Sequence, residues 1–262
     1  GREQMKVLPA LAMRGIVMFP GMTLHFDVGR EQSIKAIRQA MEGDRQIFLA
    51  AQKDFTVETP KEDDLYTVGV VARIVRLLNS GKDSVRVMVE GLYKAEAIHY
   101  TMDGEYYTAE VRRLYDNDEL DVSDEKKEGM MRALLHCFDD YADMVPKMPG
   151  DLIASIISQK TIKGLYDKLV QNLFLQVEDK QALLEEPDLA TRVGMLVGII
   201  DREVSVMGWE RDIYDQVKDS MDKNQRDYFL REQLRVISDE LGEGDNPMED
   251  SAEFSEKIQK IQ

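Results

Sequence analysis

The sequence predicts an α+β chain: a mostly antiparallel β domain comes first, followed by an α-helical bundle with a very long carboxy-terminal helix. Three observations predict it. Short β-branched runs punctuated by Gly fill residues 1–115, and helical apolar periodicity fills the remainder. Charge divides at the same place: Gly1 to Tyr115 holds 16 Lys/Arg and 16 Asp/Glu, which leaves 18 basic against 34 acidic residues beyond it. No proline follows Pro187 until after Leu241, a stretch long enough for one uninterrupted helix.

In the β half, Lys6 to Met13 and Ile16 to Phe19 read as extended, and Pro20-Gly21 marks a turn. Gly29-Arg30-Glu31-Gln32-Ser33 opens a helix whose apolar face is Ile34, Ile37, Ala40 and Met41, and Gly43 ends it. Ile47 to Ala50 reads as a buried strand, and Asp54 to Asp64 as a polar surface loop. Val68 to Leu78 and Val85 to Leu92 flank Asn79-Ser80-Gly81-Lys82, whose Asn and Gly tolerate positive φ as a hairpin requires. Tyr93 to Tyr100 and Tyr106 to Tyr115 supply further strands around Asp103-Gly104.

The predicted organisation is a β domain over 1–115, a linker over 116–122, a helical bundle over 123–187, a long helix over 188–241 and an acidic segment over 242–262. Ser123 is the N-cap expected for a helix whose apolar face is Met131, Leu134, Leu135, Phe138, Tyr141 and Ala142, stopped by Pro146. Shorter helices are expected over Asp151 to Ser158, Ile162 to Phe174 and Glu178 to Leu184. The last helix, capped by Asp188 and stopped by Gly242-Glu243-Gly244, would span roughly 80 Å at 1.5 Å per residue. Val193, Ile200, Met207, Tyr214, Met221 and Tyr228 recur along it every seven residues, the spacing of a helix–helix seam. Leu189, Leu196, Val197 and Val204 add apolar width to its first part, so that part packs into the bundle and the rest projects.

Composition narrows the chemistry. A net charge of −16 makes nucleic acid and anionic membranes poor partners for the chain as a whole. The single Cys137 excludes an internal disulfide framework and fits a reducing, cytoplasmic setting. No apolar run is long enough to span a bilayer, and the first ten residues do not read as a secretory signal. Cys137, His25, His99 and His136 are too few and too dispersed for a structural zinc site, so no metal ligand is assigned. Gly81-Lys82 is the nearest approach to a phosphate-binding loop, yet Asp83 replaces the hydroxyl residue and Arg76 the upstream glycine. No Gly-x-Ser-x-Gly elbow occurs. Catalytic and cofactor-binding residues are therefore expected to be none.

The ordered motifs carry an identification of their own. Leu8-Pro9-Ala10-Leu11-Ala12-Met13-Arg14, Phe19-Pro20 and Val28-Gly29-Arg30-Glu31-Gln32-Ser33 resemble the opening of Lon-type ATP-dependent proteases. Ala51-Gln52-Lys53-Asp54, Asp64-Leu65-Tyr66-Thr67-Val68-Gly69 and Val87-Met88-Val89-Glu90-Gly91 continue the series in order. Val177-Glu178-Asp179-Lys180-Gln181-Ala182-Leu183-Leu184-Glu185 and Asn224-Gln225-Arg226-Asp227-Tyr228-Phe229-Leu230-Arg231-Glu232-Gln233-Leu234 extend it into the helical half. Ala12 stands where the family commonly has a second proline, and Gln32 where lysine is frequent.

What this resemblance implies is a PUA-like, β-rich substrate-recognition domain joined to helices, in a homohexameric cytosolic serine protease of misfolded and regulatory proteins. ATP and Mg belong to the family's ATPase domain, further along the full-length chain. The expected partners are unfolded or degron-bearing proteins and other copies of the chain, and a nucleic-acid role is the weakest alternative. Arg30, Glu31 and Gln32, polar groups at a helix start, are the candidate partner contacts, against a competing reading as capping and solubility. The heptad face from Val193 to Tyr228 is the candidate for pairing between subunits, the basis of an alternative assembly and gating role.

Overall fold

The structure, a computed structural model, describes residues 4–79 and 83–242. The expected hairpin tip at residues 80–82 and the acidic segment beyond residue 242 lie outside the described residues. Among the described residues six strands and six α-helices follow one another: β1 (Lys6–Met13), β2 (Thr23–Val28), α1 (Glu31–Glu42), β3 (Gln46–Ala51), β4 (Val68–Asn79), β5 (Val85–Asp103), β6 (Tyr106–Arg113), α2 (Asp124–Met144), α3 (Gly150–Ile157), α4 (Ile162–Asn172), α5 (Val177–Glu185) and α6 (Leu189–Leu241). The fold class is the one the sequence predicts: a mixed, mostly antiparallel sheet, then helices, the last of them long.

The sheet order is β2-β5-β4-β3-β1-β6, and β5 also pairs with β6, so the last five strands close into a ring. β5 makes this possible. Its residues Val85 to Glu90 pair with β2, and Ala95 to Asp103 pair with β6, while β4 runs along its other side. Between those two stretches Ala72 faces Gly91 and Val71 faces Tyr93, so Leu92 is an extra residue that bends the strand. Gly91 is required there because a Cβ would stand 2.5 Å from the carbonyl oxygen of Phe19. Gly69 on β4 is under the same constraint from the Leu49 carbonyl on β3.

Two local expectations change. Val85 to Leu92 and Tyr93 to Tyr100 form one strand, because the bulge redirects the chain without breaking its pairing to β4. Ile16 to Phe19 is not a strand; it is a buried connection, and the strand at this point is Thr23–Val28, with Leu24, Phe26 and Val28 turned inward relative to Thr23, His25 and Asp27. β1 and β3 are parallel, which antiparallel hairpin logic does not anticipate, with β2 and α1 forming the crossover between them.

The ring is narrow and is filled by small side chains against two large ones. Ala10, Ala50, Ala95, Ala97 and Ala109 pack around Phe48 and Tyr100, whose ring centroids are 6.2 Å apart. The Tyr100 hydroxyl donates to the Tyr66 carbonyl at 2.7 Å, so the buried phenol is satisfied. Burial raises its pKa first, with the charge of Glu62 adding to it.

The helices bury one face each: Leu134, Cys137, Phe138 and Tyr141 on α2; Leu165, Tyr166, Leu169 and Val170 on α4; Leu189, Val193, Leu196 and Ile200 on α6. Ser123 caps α2 by accepting from the Lys126 amide, and Asp188 caps α6 by accepting from the Thr191 amide at 3.0 Å. Residues 116–118 are tied into the fold on both sides. Lys94, almost fully buried, pairs with Asp116; Asn117 exchanges backbone hydrogen bonds with Pro187 and Leu189; Asp118 accepts from Arg192 at 2.5 Å. Gln181 on α5 donates to the Val68 carbonyl on β4 at 2.9 Å. Contacts divide the chain into two compact units, Gly1–Val204 and Ser205–Gln262. From Ser205 to Leu241 no residue of α6 is buried.

Candidate functional site

The ring leaves β2 as the one strand paired on a single side among the described residues. Its last residues, Phe26, Asp27 and Val28, line a cleft of about 350 Å³ together with Leu11, Ala12, Met13, Arg14 and Ile16 from the end of β1, and Gly29, Arg30 and Ser33 from the start of α1. The sequence produces this arrangement directly. β1 ends at Met13, Gly15 takes a φ of +69° that favours glycine, and the buried stretch Val17 to Phe19 leads to Pro20-Gly21, after which the chain runs along β5 as β2.

Arg30 reaches back across the cleft. It donates to the Ala12 carbonyl at 2.8 Å, to Gln52 Oε1 at 3.2 Å and to the Glu58 carbonyl at 3.3 Å. Burial lowers its pKa from the ordinary guanidinium value, and the neighbouring Arg14 charge lowers it further. Arg14 itself donates to the Val57 carbonyl at 3.2 Å. Gln52, buried, closes the set by donating to the carbonyls of Asp54 and Val57. A half-buried positive end is thus held by neutral oxygens beside apolar walls.

Of the three candidate contacts at this helix start, Arg30 is turned into the cleft, Glu31 is exposed and lies 3.2 Å from Lys35, and Gln32 is half-buried. Arg30 occupies the N-cap position without a side-chain cap bond. The six heptad positions fall into different surroundings: Val193 and Ile200 are buried, Met207 is half-buried, and Tyr214, Met221 and Tyr228 are exposed at 71%, 56% and 68%. Arg14 and Ser33 lie in the motifs quoted above but were not named as contacts, and Phe26 was not singled out in the sequence. The alternation of Leu24, Phe26 and Val28 after Pro20-Gly21 is the signal that finds β2 and with it the cleft.

Among the described residues no group of three or more His, Cys, Asp or Glu is placed to hold a metal ion, and no helix is long and apolar enough to cross a membrane.

Residues 7–202 match the family described as the ATP-dependent protease La (LON) substrate-binding domain. The chain belongs to this family. Lon protease of Heliobacterium modesticaldum is 37% identical over 259 residues, 99% of this chain and 32% of its own length. Lon protease 1 of Bacillus subtilis is 34% identical over 258 residues, 98% of this chain and 33% of its own length. The chain therefore spans about a third of the length of the curated relatives it matches. The Lon fold also appears in solved structures. The N-terminal domain of a Mycobacterium avium complex Lon protease superposes with a TM-score of 0.56 at 19% identity, covering 75% of this chain and 98% of that one. The Lon N-terminal domain protein from Xanthomonas campestris gives 0.53 at 14%, covering 74% and 98%. Within the Lon motifs quoted above, Gly69 and Gly91 are the glycines that close backbone contacts demand, and Arg30 is the charge at the cleft.

Proposed function

We propose that this chain is the substrate-recognition region of a Lon-type, ATP-dependent serine protease, and that it captures exposed apolar segments of misfolded and short-lived regulatory proteins. The observation that carries the reading is the match of residues 7–202 to a substrate-binding domain family. The seam between β1 and β2 supports it, since it offers apolar walls beside an unpaired strand edge. On this reading peptide-bond hydrolysis, ATP and Mg belong to the part of the protease outside the third that this chain matches, and no residue here is given a catalytic or cofactor role. A cytoplasmic location and a homohexameric state go with it. Six weak sites in one assembly gain from effective concentration, so a single copy need bind only modestly.

Titrating the chain into a labelled, permanently unfolded protein and into its folded counterpart, at low and high salt, tests the proposal. Saturable binding that favours the unfolded form and survives salt is expected. Equal affinity for both forms contradicts it, and binding that collapses with salt points instead to a charge-driven ligand such as nucleic acid.

A second reading is favoured by the second unit. Val206, Trp209, Ile213, Val217 and Met221 recur at three- and four-residue spacing and are all exposed, as are Tyr214 and Tyr228 on the heptad row. We infer that this face couples subunits, which gives the region an assembly role beside recognition.

A further inference from the structure

We propose that the cleft between β1, β2 and α1 takes the carboxy-terminal end of a client polypeptide, which adds as a strand to β2 and sets its terminal carboxylate against Arg14, Arg30 and Ser33. The inference rests on the substrate-recognition reading and names what that site binds.

Three independent features of the cleft converge on this ligand. The first is backbone. β2 is bonded to β5 along Thr23 to Val28 and to no other strand among the described residues, so one row of its amides and carbonyls is open to an added strand. The second is charge. Among the described residues, every hydrogen bond of the Arg14 and Arg30 guanidinium groups ends on a neutral oxygen: the carbonyls of Val57, Ala12 and Glu58, and the Gln52 amide. In a chain of net charge −16, two adjacent guanidinium groups with no carboxylate bonded to either among the described residues can take an anion. Asp27 lines the same cleft and is exposed, with no ion pair to either arginine. The third is an unused hydroxyl. Ser33 is only 8% exposed, lines the cleft, and has no hydrogen-bond partner among the described residues.

Size and walls fix the kind of segment. At about 350 Å³ the cleft is at the small end of the ~300–1,000 Å³ of ligand-enclosing pockets, room for a chain end of a few residues. Leu11, Met13, Ile16 and Phe26 line it, so the terminal residues should be apolar.

The test is fluorescence anisotropy on the 262-residue chain with four labelled ten-residue peptides: one with an apolar end and a free carboxylate, its carboxy-terminal amide, a version with alternate backbone amides N-methylated, and an amide carrying an internal Glu. The unfolded protein is run in parallel. The free acid is expected to bind about tenfold more tightly than the amide, a charge-assisted bond's worth, and the N-methylated peptide to lose most of that affinity. Arg14→Gln, at the exposed rim, and Ser33→Ala, which removes a single oxygen, should each narrow the acid-to-amide ratio, with the fold kept even where Arg30→Gln fails to fold. Equal binding of acid and amide, or preference for the internal Glu, overturns the carboxylate assignment while binding of the unfolded protein leaves the recognition reading standing. If neither peptides nor unfolded protein bind, both fail.

Discussion

At Gly91 a side chain has no room: its Cβ would stand 2.5 Å from the Phe19 carbonyl, and Gly91 also exchanges backbone hydrogen bonds with Gly21 and Met22. Gly91→Ala must push two backbone segments apart, so we predict a loss of about 1–3 kcal/mol in urea unfolding, with the fold retained. An unchanged midpoint would mean that this contact is not made. Cys137 gives a prediction in pH. Burial, and then the charge of Asp201, push its thiol up to about 12. An unfolded thiol titrates near ~8.5, so the folded chain holds the proton more tightly. Its contribution is complete below that value and is lost as pH rises toward 12. Between pH 8 and 10 the stability of Cys137→Ala should therefore decline less steeply than that of the parent, and identical slopes would contradict it. Arg30 was legible as a candidate contact from its motif, but not its three neutral acceptors, which come from β1 and from the loop before β4.

Elements differ in how plainly the sequence announces them. β1, α2 and α6 were readable because each combines a clear period with a terminating signal: Met13 before Arg14-Gly15, Ser123 at the N-cap, and Asp188 after Pro187. β2 was not, since its six residues are short and its neighbour Ile16 to Phe19 is more apolar. β5 was split in two because a Gly-containing bulge inside a strand has the same local signature as a turn. The segment at residues 116–118 reads as polar and acidic, hence as a linker, yet its acids are the partners of Lys94 and Arg192. For α6 the prediction concerns its exposed row. If Tyr214 and Met221 contact another copy, replacing both with Lys should weaken concentration-dependent association in sedimentation equilibrium, at a stability change within about 0.5 kcal/mol, as for other exposed sites. Unaltered association would remove this row from any interface.

At the scale of the molecule, the proposed site depends on relations that no stretch of sequence contains. The cleft exists because β5 bends at Leu92, β6 bridges β5 to β1, and β2 is left with one partner; only then do Leu11, Phe26 and Arg30 share a cavity. Family membership and fold class were legible because motifs and periods are local, while of the candidate cleft only Arg30 was, because the rest is brought together by ring closure. The central claim is that the unit Gly1–Val204 recognises clients through this seam. Hydrogen–deuterium exchange of the chain, with and without a saturating unfolded protein, tests it most directly. The account predicts protection in Thr23–Val28 and at the start of α1, with little change from Ser205 to Leu241; protection confined to that stretch of α6, with the seam unchanged, would contradict it.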